Sequence, residues 1–230
     1  MKKGFVAGVA FAAALAAGIG VPLHGAHAVT IINGSFENGV ANIGDFKTIN
    51  ATDSTSITGW TVSGGSVDYI GTYWTAADGS RSLDMNGLSA GTITQLVTGL
   101  TNGQQYKVTF DLAGNTDAGP TIKTLDVTAS AGSNAYAFSI AGHDRNNMGW
   151  VTESFVFTAD GASDLLSFSS AVFSGGTGDN PAAFGPALDN VSISATPLPS
   201  TWLMLLSAFA GLGFFAYRGA QKGSTTFAAA

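Results

Sequence analysis

The 230-residue chain contains no cysteine, which excludes disulfides, thiolate nucleophiles and cysteine metal centres. Histidine is almost as scarce. His24 and His27 fall within the first 28 residues and only His143 stands in the body, so multi-histidine zinc sites are excluded as well. Basic charge is thin. Between Val29 and Pro197 stand Lys47, Arg81, Lys107, Lys123 and Arg145, against 15 acidic residues, a net of −10. Such a surface repels phosphate, so nucleic acid is not an expected partner; neutral sugars and divalent cations remain open. Long apolar runs are missing from the same stretch and occur only at the two ends.

At the N-terminus, Lys2 and Lys3 precede an apolar stretch from Gly4 to Val21, which closes on Ala26-His27-Ala28. A basic start, an apolar middle and a small-x-small site read as a secretory signal peptide over residues 1–28, with the mature chain beginning at Val29. At the other end, Trp202 to Tyr217 is 16 residues without a charge, followed by Arg218 and Lys222. As a helix this run reaches roughly 24 Å, against a hydrocarbon core of ~30 Å, and Leu198 to Thr201 adds one turn. It is read as a transmembrane helix over about 202–217. Trp202 and Tyr217 suit the two interfaces, Arg218 and Lys222 the cytoplasmic side. Residues 223–230 are a short tail.

The body, residues 29–195, has the size of one domain. Short runs alternate apolar and polar residues between turn formers: SITGWTVS, GSVDYIG, GTITQLVTG, QQYKVTFDLAG, TIKTLDVTAS, NAYAFSIAG, WVTESFVFTA, LLSFSSA and PALDNVSISA. In the fourth, Tyr106, Val108, Phe110 and Leu112 point one way and Lys107, Thr109 and Asp111 the other. In the seventh, Val151, Phe155 and Phe157 form the inward set. Period two with one polar face predicts half-buried antiparallel strands. About ten strands in this length predict an all-β antiparallel sandwich of the jelly-roll kind.

Taken in order, several segments carry a resemblance. They are NGSFENG (33–39), ITGWTVSGGSVDYIGTYW (57–74), AADGSRSLDMNG (76–87), GTITQLV, YKVTFDLAGN, MGWVTESFVFTA and GPALDNVSIS (185–194). The domain resembles the choice-of-anchor C family, related to the plant cell-wall proteins of domain-of-unknown-function family 642. Phe184 stands where plant relatives carry a cysteine. The resemblance implies a galactose-binding-like jelly roll, a fold that includes many carbohydrate-binding modules. It also implies an exported, surface-held binding or structural domain. The C-terminal order of parts over 196–222 resembles a PEP-CTERM sorting signal, with Pro197-Leu198-Pro199-Ser200 as its motif and Leu198 in the place of the usual glutamate. That likeness implies an exosortase-type processing enzyme at the envelope of a Gram-negative bacterium.

Candidate sites follow from residue chemistry. Tyr73 and Trp74 sit in GTYWTAADGSRS with Arg81 close in sequence; exposed neighbouring rings suit the C–H face of a sugar. Trp60 and Trp150 follow glycines within strand patterns and are expected in the core. Galactose-binding-like modules often hold one structural ion, and by that likeness Glu37 and Asp189 are the candidates for a Ca²⁺. The alternative is that Glu37 caps a turn and Asp189 binds backbone. Gly87 to Gly91 matches Gly-x-Ser-x-Gly, but a strand pattern follows it where a nucleophile elbow needs a helix, so a plain turn is expected at Ser89. His143 is expected to be a solvated loop residue. Asp68, Asp84 and Asp111 lie on strand-like segments and could share a cleft, as glycoside hydrolysis would require. The leading expectation is a non-enzymatic, envelope-anchored domain that binds or organises extracellular polysaccharide. A purely structural matrix protein and a surface glycoside hydrolase are the alternatives.

Overall fold

The computed structural model describes residues 29–172, 182–196 and 200–222. The expected signal peptide, motif residues Pro197, Leu198 and Pro199, and the tail from 223 lie outside them; Ser200 opens the C-terminal helix. The strands are β1 (Phe46–Asn50), β2 (Thr61–Gly64), β3 (Ser66–Ile70), β4 (Ser82–Asp84), β5 (Thr92–Thr98), β6 (Gln105–Gly114), β7 (Ile122–Ala129), β8 (Gly132–Ser139), β9 (Val151–Thr158), β10 (Ser163–Ser170) and β11 (Pro186–Ala195). They form two antiparallel sheets, ordered β1-β3-β4-β11-β6-β9 and β2-β5-β10-β7-β8.

The alternation read from the sequence fills the space between the sheets. Tyr106, Val108, Phe110 and Leu112 of β6 are buried, and Lys107 is exposed. Phe110 meets Phe168 of the facing sheet edge-on at 5.3 Å and Tyr136 at 5.1 Å, geometry that suits the ring quadrupoles. Trp60 packs between Phe36 and Phe168. Trp150 is partly buried against this core. The nine runs became β2, β3 and β5 to β11. In β9, Phe155 and Phe157 turn inward as expected, but Val151 is exposed, because β9 is an edge strand and Val151 is its first residue. β1 and β4 were not read as strands. β1 buries one side chain, Ile49, and β4 has three residues, too few to show a period.

β11 runs from Pro186, beside Gly114, to Ala195, beside Tyr106. Thr196 is then held by the Gln105 carbonyl and the Gln104 side chain. Helix α1 follows over Ser200–Lys222 and exposes Met204, Leu206, Phe209, Leu212 and Phe215. The transmembrane helix expected over about 202–217 is not met. The segment is helical, but among the described residues no helix is long and apolar enough to cross a membrane. The uncharged run is only 16 residues, and Ser207, Gly211 and Gly213 dilute it.

Candidate functional site

Chain neighbours in a strand face opposite ways, so the residues between the inward Ile49, Val67, Leu83, Leu188 and Leu112 must face outward. Strand register sets Thr48, Asp68, Asp84, Ala187 and Ala113 side by side across the outer face of the six-stranded sheet. Asp68 and Asp84 are direct partners. A cleft of about 280 Å³ opens over this row. Phe46, Tyr73, Trp74 and Leu88 supply its apolar wall, and Thr48 and Asp68 its nearest polar groups; Asp84 and Asn115 lie on its floor. Phe46 is 43% and Leu88 64% exposed, so apolar surface is left open at the mouth.

The loop after β3 covers one side and is pinned along its length. Tyr73 gives its hydroxyl proton to Asp117, whose carboxylate takes Arg145 Nε at 2.7 Å and Nη2 at 2.8 Å. Arg145 also reaches the Tyr73 hydroxyl at 2.6 Å and stacks over its ring at 3.9 Å from the centroid. Trp74 Nε1 donates to Ser82 Oγ at 2.8 Å, and Trp150 Nε1 to the Thr75 carbonyl at 2.9 Å. Asp189 accepts the N–H groups of Ala77 and Asp78 at 2.8 and 3.0 Å. Glu37 accepts those of Ser80 and Arg81, both at 2.7 Å, and the Ser80 hydroxyl.

The sequence therefore located the cleft's loop but not all of its roles. Tyr73 and Trp74 do line one cleft. Trp74, however, is 5% exposed and packs into the core; it is not an open loop ring. Arg81 does not join them. Its guanidinium lies 5.5 Å from the centre of the Tyr69 ring and borders a different opening, with Asn42, Gly44 and Thr72. Arg145 is the guanidinium beside Tyr73. Glu37 and Asp189 both hold the same loop, and the groups turned toward them are N–H and O–H donors. Donors of that kind stabilise a carboxylate and oppose a cation, so the pair does not fit a calcium centre. Among the described residues no three acidic or histidine side chains gather around a point that could hold a metal.

Asp68 and Asp84 share the cleft as the strand pattern allowed, while Asp111 is not among its lining; Asp111 accepts from Thr152 at 2.6 Å and from Asn190 at 2.9 Å. Ser89 is exposed in a turn closed by the Asn86–Ala90 bridge, and β5 follows it. His143 is not simply solvated: its ring packs 5.4 Å from that of Phe138 and against Gly149. Phe46, Thr48, Leu88, Asn115, Asp117 and Arg145 were missed. They are brought in by β1 and by turns, where no period marks them.

Burial sets the electrostatics. Asp84 is pushed up to about 8 by desolvation, against the hydrogen bonds of Asn115, Asn86 and Gly185 and helped by the neighbouring Asp68. Asp68 is raised to about 6 by burial, opposed by the Thr48 hydroxyl. Lys123, fully buried behind the floor, is lowered to about 8 by burial, partly offset by Asp84 and Asp117; its Nζ donates to the Ala118 and Phe184 carbonyls, each at 2.7 Å. Burial also raises Tyr73, to about 12, with Asp117 adding to it.

Comparison with known proteins gives the following. Halomucin of Haloquadratum walsbyi is 37% identical over 169 residues, 70% of this chain and 2% of that protein, so the chain spans only a small part of this relative's length. Among solved structures, TmCBM61 in complex with beta-1,4-galactotriose has a TM-score of 0.41 at 12% identity, covering 71% of this chain and 96% of that one. The CBM22-1 xylan-binding domain from Paenibacillus barcinonensis Xyn10C has 0.39 at 18%, covering 69% and 99%. CBM35 from Cellvibrio japonicus Abf62 has 0.43 at 12%, covering 66% and 95%. A family model described as protein of unknown function (DUF642) matches residues 29–194, and the chain belongs to that family.

Proposed function

We propose that this member of the DUF642 family is an exported, non-enzymatic domain that binds extracellular polysaccharide in the cleft over the six-stranded sheet. The observation that carries the reading is the cleft's make-up: exposed Phe46 and Leu88 and the fixed ring of Tyr73 beside the half-buried carboxylate of Asp68. Rings take the C–H face of a pyranose, and placed polar groups take its hydroxyls. Hydrolysis is not favoured. Asp84 is 1% exposed and accepts from Asn86, Gly185 and Asn115, which leaves it no path to a substrate.

Export rests on the sequence of residues 1–28. The likeness to choice-of-anchor C domains and to PEP-CTERM signals extends the proposal to the cell surface, with an exosortase-type enzyme acting at Pro197 to Ser200. The test is binding of the purified protein to a glycan array and to extracellular polysaccharide from its own source. Phe46→Ala should weaken binding by about 5- to 150-fold, as loss of a stacking ring does, with the melting temperature unchanged. Absence of binding to any glycan would leave the structural-matrix reading in its place.

A further inference from the structure

The charges around the cleft can be followed to their partners. Among the described residues Asp68 and Asp84 are its carboxylates, Asp117 stands beside it on Tyr73, and Arg145 and Lys123 are the cations coupled to Asp117 and Asp84. Arg145 is spent on Asp117 and Tyr73. Lys123 is wholly buried, with its Nζ on the Ala118 and Phe184 carbonyls. Neither is left to meet an acidic sugar, whose carboxylate or sulfate would instead face the carboxylate of Asp68. An ammonium would gain from Asp68 but would have to shed more water than a hydroxyl against the exposed apolar surfaces of Phe46 and Leu88. Asp68 itself is incomplete. Its Oδ1 accepts from Thr48 Oγ1 at 2.5 Å, and among the described residues its Oδ2 has no partner. An ionised carboxylate has acceptors and no donor, so the group that completes it must bring O–H or N–H.

A Cβ at Gly87 would stand 2.9 Å from Ser66 Oγ, 3.0 Å from Thr48 Cγ2 and 3.1 Å from Asp68 Oδ1, so glycine lets the turn pack against the Thr48–Asp68 pair. Beside it lie the exposed apolar surfaces of Phe46 and Leu88. Among the described residues the site thus offers a carboxylate acceptor with no donor of its own, an apolar wall and no free cation.

We infer that the cleft selects an uncharged sugar, which donates its hydroxyls to Asp68, and rejects acidic polysaccharide. This rests on the glycan-binding reading above. The experiment is an array of backbone-matched sets: neutral glucans and galactans, their uronate and sulfated counterparts, and glucosamine oligomers. Binding confined to the neutral arm supports the inference. Binding led by the acidic or the amino arm overturns it while keeping the glycan-binding reading. Silence on every arm removes that reading itself. On the best neutral ligand, Asp68→Asn keeps the side chain's shape and should lower affinity about 10- to 100-fold, because hydrogen bonds to a charged acceptor are the strong ones. The melting curve of that variant serves as the folding control, and undiminished affinity in a folded Asp68→Asn protein overturns the assignment.

Discussion

Two aromatic residues adjacent in sequence divide between cleft and core. Trp74 is held through Ser82 and is nearly as buried as Trp60, so both should behave as core residues. Trp60→Ala and Trp74→Ala are each expected to lower stability by about 3–5 kcal/mol in urea melts. A folded, unshifted Trp74→Ala protein would return that ring to the surface. Tyr73→Phe is milder. It removes the hydroxyl shared with Asp117 and Arg145 but leaves ring and ion pair in place, at a cost of about 1 kcal/mol. The sequence made Tyr73 legible because aromatics in a Gly/Ser/Thr loop stand out. It hid Phe46, whose strand has no run of alternation, and Arg145, which meets Tyr73 across 72 positions.

The loop from Gly71 to Arg81 is the element that turns a sheet face into a site, and its anchors come from the chain's opening and closing motifs. NGSFENG and PALDNVS meet directly: Val191 N donates to the Gly34 carbonyl, and a Cβ at Gly34 would stand 1.8 Å from the Val191 carbonyl oxygen. From this junction Glu37 and Asp189 each grip the loop. Asp189→Ala strands the N–H groups of Ala77, Asp78 and Asn190 and should cost about 2 kcal/mol. It should also speed proteolysis within residues 75–81. A chelator should leave the wild-type melt unchanged; a fall in melting temperature with EDTA, absent in Asp189→Ala, would restore a calcium ion there. The strand pattern was readable because a buried face must alternate. The purpose of Glu37 and Asp189 was not, because a carboxylate that binds two amides and one that binds a cation look alike in sequence.

At the scale of the molecule, three buried or half-buried carboxylates among the described residues give stability a pH dependence of definite sign. Asp68, Asp189 and Asp84 hold protons more tightly when folded, up to about 6, 7 and 8, than the value of 3.8 they start from. The stability they lend is complete below 3.8 and is lost as pH rises through those values. Lys123, lowered to about 8 from 10.5, acts oppositely and returns stability only above about pH 8. Asp53 and Asp117, held below their usual range against burial by Ser56 and Thr55 and by Arg145 and Tyr73, lose their contribution under acid. The melting temperature should therefore be highest at or just below pH ~4 and decline toward pH ~8, with a shallower decline in Asp84→Asn. A flat profile over that range contradicts the buried-acid account. Geometry at this scale also orients the molecule. β11 passes the cleft at Ala187 and delivers the chain to the C-terminal helix only after Ala195, and at ~3.3 Å per residue the two ends of that strand stand roughly 30 Å apart. Any force or tether applied through Thr196 enters the sandwich at the pole remote from the cleft, so the chain can be held fast from behind while the cleft stays unobstructed.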